Sequence, residues 1–199
     1  MRIVTVFLAS LLVAAPAAAA ADAPLRHVEY TVTTQVDGRA STLRLALDLV
    51  GTTADRGVRL EISEPDDDAP VRVDVDRHGA AYVESDGALS REASLLCYFF
   101  ALGSQNMTGL DRGDAWSASD ARFRVMRKPA DGRLDIAFTR WLDGDDEEHA
   151  DYHGRLLYDA FKVVPLGFDA TGQVRSDEDG VARTHDVRLV VRLIRDSQQ

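Results

Sequence analysis

Ser90 to Gly103 constrains this chain more than any other stretch: Ser-Arg-Glu-Ala-Ser-Leu-Leu-Cys-Tyr-Phe-Phe-Ala-Leu-Gly. Ser90 suits an N-cap, because its hydroxyl can accept from an unpaired N–H of the first turn. Glu92 follows where the helix dipole favours a negative charge. Gly103 can take the left-handed conformation that ends a helix. The spacing predicts one helix over residues 91–102, apolar almost all round between Leu95 and Leu102. Such a helix has to be buried on most sides. Burying Leu95, Leu96, Phe99, Phe100 and Leu102 is worth roughly 1.5–3 kcal/mol each. The sum is comparable with the whole stability of a domain, about 5–15 kcal/mol. Whatever encloses this helix is therefore the fold.

The flanking sequence supplies strands. Val28, Tyr30 and Val32 alternate with polar residues, as do Leu43 to Leu49, Val58 to Ile62 and Val71 to Val75. Beyond the helix, Arg122 to Arg127, Leu134 to Phe138, His149 to Tyr158 and Val187 to Leu193 repeat the pattern. Period two means one face toward a core and one toward water. Asp37-Gly38, His78-Gly79, Asp131-Gly132, Asp143-Gly144 and Asp179-Gly180 are hairpin turn signals. Pro165, inside the segment 161–168, argues against a central position for that strand. With no second helix to make parallel crossovers, the expectation is mainly β: about ten antiparallel strands in a meander. A flat sandwich leaves no room for the helix, so the sheet is expected as a strongly curved sheet or half-barrel wrapped around it. Twelve helical residues span about 18 Å, a length that plugs such a barrel.

The N-terminus reads as a cleaved export signal. Arg2 is followed by an apolar run from Ile3 to Val13, then Pro16 and alanines to Ala21. The run is short of the about 20 residues that span a bilayer. The expected organisation is residues 1–21 as signal peptide and 22–199 as a single β-rich domain, periplasmic or secreted, with no transmembrane segment after cleavage. The net charge of −10 argues against nucleic acid as a partner. Cys97 is the one cysteine, so no internal disulfide forms, and its mid-helix place fits a buried apolar thiol.

Two resemblances attach to particular residues. Gly113-Asp114-Ala115-Trp116, the run Gly154 to Asp159 and Val164-Pro165 resemble a Gly-Asp-x-Trp signature and its following Tyr-Asp and Val-Pro elements. These occur in certain secreted bacterial proteins of unknown function. Ala115 stands where those proteins carry a hydroxyl residue, and they bring no catalytic residues to carry over. A curved antiparallel sheet over a helix is also similar to the half-barrel periplasmic lipoprotein carriers and lipid-binding lipoproteins. That likeness implies an apolar concavity that holds acyl chains.

Little in the sequence announces chemistry. No nucleophile elbow, phosphate loop, Cys-x-x-Cys or cofactor-binding motif is present, so no catalytic residue is assigned. His149, Asp151 and His153 would share one face of a strand and are plausible metal ligands. Solvated side chains at a strand end are the simpler account of them. The acidic loops lack the spacing of a calcium loop. Leu95, Phe99 and Leu102 are the candidate walls for an apolar small molecule or lipid. The alternatives are an envelope structural or interaction module with a fully packed core and, third, a metal-dependent enzyme using the His149 group. No protein partner is legible.

Overall fold

The computed structural model describes residues 25–52, 57–64, 69–75, 81–83, 90–102, 107–118, 120–143, 149–178 and 181–197. The segment read as a signal peptide lies outside the described residues. The first five strands are β1 (Arg26–Val36), β2 (Arg39–Thr52), β3 (Val58–Ser63), β4 (Val71–Val75) and β5 (Ala81–Val83). The helix α1 (Arg91–Ala101) follows, with a one-turn 3-10 helix at Met107–Gly109. Then come β6 (Ala115–Ala118), β7 (Ala121–Arg127), β8 (Arg133–Asp143), β9 (His149–Asp159), β10 (Val164–Glu178) and β11 (Val181–Asp196).

All eleven belong to one antiparallel sheet, in the order β5-β4-β3-β2-β1-β11-β10-β9-β8-β7-β6. Two meanders therefore meet at the β1–β11 pair in the middle, and among the described residues β5 and β6 are the two edges. In sequence α1 stands between those edges, so it carries the chain from one side of the sheet to the other.

The contacts of α1 show how far the sheet curves. The helix packs against β3, β4, β5 and β10. Phe100 meets Tyr30 of β1 edge-on at 6.2 Å, and Tyr98 stacks on Phe123 of β7 at 6.0 Å. Phe99 lies 4.8 Å from Phe138 of β8 and 5.0 Å from Phe168 of β10. Laid flat, the strands from β5 to β7 would span about 43 Å at the usual spacing of about 4.8 Å. A helix about 10–12 Å across touches both ends of that span only if the sheet curls around it. The half-barrel about one buried helix is thus the observed fold.

Local chemistry follows the sequence at the helix start. Ser90 is extended (φ −60°, ψ 155°) and its Oγ accepts from Ala93 N–H at 3.2 Å. Glu92 serves the dipole and also accepts from Thr34 Oγ1 of β1 at 2.7 Å, fixing the helix to the sheet. Gly103 lies outside the described residues.

Two strand assignments differ from expectation. β6 is a short additional edge strand, and β11 starts at Val181 rather than near Val187. β10 runs from Val164 and sits between β9 and β11, but its pairing with β11 starts only at Gly167, so Pro165 has a strand partner on the β9 side alone, in keeping with the expectation against a central position. The sheet accommodates it at the second residue of β10, where the register with β9 shifts between Pro165 and Gly167. At such an irregularity the missing N–H is not needed for a ladder bond. Close strand approach has its own residues. A Cβ at Gly172 would lie 2.0 Å from the Asp151 carbonyl oxygen, and one at Gly154 would lie 2.3 Å from that of Asp169. Both glycines let β9 and β10 come closer than a side chain would allow.

Beside the apolar core, one charged pair ties the centre of the sheet. Arg26 donates from Nε and Nη2 to the two Asp196 oxygens at 3.0 and 2.6 Å, with Nη1 on the Lys162 carbonyl. Both residues are buried, so the start of β1 is locked to the end of β11.

Candidate ligand-binding cup

The concave face is built by the inward positions of every long strand. Tyr30, Val32, Leu45, Leu47, Leu60, Ile62, Leu134, Ile136, Leu156, Leu189 and Val191 are all fully buried there. Leu95, Phe99 and Leu102 come together on this interior, 0%, 0% and 2% exposed. Phe99 meets the sheet directly, through Phe138 and Phe168. Cys97 is equally buried, and desolvation pushes its thiol up to about 12, against a smaller opposing pull from Arg140. That thiol is a packing group, since reactivity needs the thiolate.

His149, Asp151 and His153 lie on β9. Asp151 and His153 are exposed on the outer face, and the side chain of His149 is outside the described set. His153 Nε2 stands 3.0 Å from Thr171 Oγ1, an ordinary cross-strand pair. Among the described residues no group of three or more His, Cys, Asp or Glu side chains is placed to hold a metal ion. Asp151 and His153 instead border an outer groove of about 530 Å³ with Gln173, Asp186 and Arg188. Other outer grooves run from about 310 to about 690 Å³. None of these is lined by Leu95, Phe99 or Leu102.

No protein-family model matches the chain, and no curated protein does. Among solved structures, one of lipovitellin, determined to describe its lipid–protein interactions, is similar with a TM-score of 0.44 at 10% identity. The match covers 87% of this chain and 25% of that one, so the chain spans about a quarter of that protein's length.

One polar group interrupts the apolar wall. β8 presents Leu134, Ile136 and Phe138 inward, and the next position in phase is Arg140, only 7% exposed. Its guanidinium lies over the Tyr98 ring at 3.9 Å, a cation–π contact. The rings of Tyr98, Phe123 and Trp116 continue the stack, with Trp116 and Phe123 4.9 Å apart. Arg140 Nε donates to Asp120 Oδ2 at 3.3 Å, longer than the about 2.7–2.9 Å of a good charged pair. Burial lowers the guanidinium pKa, opposed chiefly by Asp120. Arg140 Nη1, Asp120 Oδ1 and Trp116 Nε1 are each buried, and among the described residues none of them has a hydrogen-bond partner. The sequence signal for Arg140 was its phase: residues 134, 136, 138 and 140 share one face of a strand. Trp141 is out of that phase and meets Arg122 on the outer face at 5.2 Å.

Proposed function

We propose that this is an exported binding protein whose cupped sheet holds an apolar or amphipathic ligand, a lipid among them, with α1 as the movable wall of the site. The observation that carries the reading is the largely apolar concave face of a sheet that, among the described residues, stays open at β5 and β6, with α1 between those edges in the chain. A closed hoop of strands cannot widen, whereas a sheet with free edges can. Leu95, Phe99 and Leu102 would pass from contact with the sheet to contact with the ligand, so the ligand replaces apolar contacts instead of creating them. Export is supported by the Arg2 to Ala21 pattern, and terminal sequencing of the mature protein tests it: a start at Ala21 to Ala23 is expected.

The test of binding is thermal. A delipidated sample should gain about 2.7 kcal/mol of stability at a hundredfold excess of ligand over its dissociation constant. Fatty acid and phospholipid series, read by melting temperature and by native mass spectrometry with organic extraction, give the answer. A clean apo mass with no melting shift would refute it. The second reading, a structural module with a packed core, is favoured by Phe99, whose ring is held between Phe138 and Phe168. That refuting result is what the packed module requires.

A further inference from the structure

We infer that the end of the cup around Arg140 and Asp120 receives the head of the ligand, and that this head is neutral and hydroxyl-bearing, as in a monoacylglycerol. The inference rests on the apolar-ligand reading and adds the chemistry of the head group. Arg140 is more than nine-tenths buried, faces the interior and leaves its Nη1 donor unfilled. Its partner Asp120 leaves the Oδ1 acceptor unfilled on the same ion pair. Buried polar atoms are nearly always hydrogen-bonded, so an unfilled donor and acceptor on one pair mark a place for a group offering both. A head with two hydroxyls supplies both, one hydroxyl to each atom. Trp116 Nε1, on the same aromatic wall, is a further buried donor that an ester or hydroxyl oxygen could fill.

Charge decides between head groups. Asp120 already balances the one positive charge of Arg140, so a carboxylate head would place a second anion beside Asp120 at a guanidinium that is itself buried. A neutral head meets no such repulsion. The aromatic stack from Tyr98 to Trp116 then leads from the head site along the apolar wall, where an acyl tail would lie.

The experiment compares monolauroylglycerol, laurate and dodecane against the full chain at neutral pH, by calorimetry and thermal shift. The expected order is monolauroylglycerol tightest, with laurate weaker on the order of tenfold, about 1.4 kcal/mol. Asp120→Asn removes the balancing charge from a partly exposed turn residue and should reverse the order, laurate becoming the tighter ligand. Arg140→Met should abolish the difference between heads and leave tail binding. If the three probes bind the parent alike, or Asp120→Asn keeps the parent's order, the head site is overturned and a water fills the pair, while the apolar reading stands. If none of the three binds, both fall together.

Discussion

Phe99→Ala is the sharpest test of the packing described above. The Phe99 side chain is fully buried, and its ring meets Phe138 at 4.8 Å and Phe168 at 5.0 Å, both edge-on. Burial of a phenylalanine contributes roughly 1.5–3 kcal/mol. Each edge-to-face pair adds about 0.5–1.5 kcal/mol beyond area. The site cannot collapse easily, because its walls are strands of one hydrogen-bonded sheet. The loss should therefore fall near 4 kcal/mol, within the ~3–5 kcal/mol seen when buried aromatics are truncated. For a domain of this size, about 4 kcal/mol corresponds to roughly 8–16 °C in melting temperature. Urea denaturation followed by circular dichroism measures it: the midpoint should fall with the slope unchanged. Phe99→Leu, which keeps most of the apolar volume, should lose clearly less. A Phe99→Ala loss below about 1 kcal/mol would refute the reasoning, since a well-packed aromatic cannot be removed so cheaply.

Breaking the buried Arg26–Asp196 pair by Asp196→Asn or Arg26→Met should cost about 3–5 kcal/mol, with the double apolar replacement recovering much of it; equal losses in single and double variants would contradict this. Gly172→Ala should destabilise strongly, because its Cβ would lie 2.0 Å from the Asp151 carbonyl oxygen, and an unchanged melting temperature would show that the strands do not approach so closely there. His27 sits 2.7 Å from Asp48 and 3.2 Å from Glu29, itself held by Arg195. Burial lowers the pKa of His27, yet the two carboxylates outweigh it and the net direction is upward from 6.5. Its contribution to stability is then fully present below about pH 6.5 and lost as pH rises through the raised value. Urea midpoints across that window should drop less in His27→Asn than in the parent.

The elements and their faces were legible in local patterns of residues. Period-two alternation assigned Val28, Tyr30 and Val32, or Leu134, Ile136 and Phe138, to the inside, because successive side chains of a strand point to opposite sides. The same local logic placed the helix and its Ser90 cap, and an all-round apolar helix required an enclosing sheet. It could even have flagged Arg140, two residues beyond Phe138 on the same face. Pairing was beyond it. That β1 joins β11, that β10 leaves Pro165 with a partner on one side only, and that Gly154 and Gly172 face the neighbouring backbone at close range all depend on how the strands pair. The Asp120–Arg140 pair is such a case too: its residues belong to a turn and a strand that no spacing rule connects. His149, Asp151 and His153 show the converse. Their spacing put them in phase, but the outer face of β9 turns Asp151 and His153 to solvent, with Thr171 across from His153. Local chemistry fixes which way a side chain points from its own strand. Only the closure of the sheet decides what stands opposite, because that is set by long-range registers and by the volume of the helix they enclose.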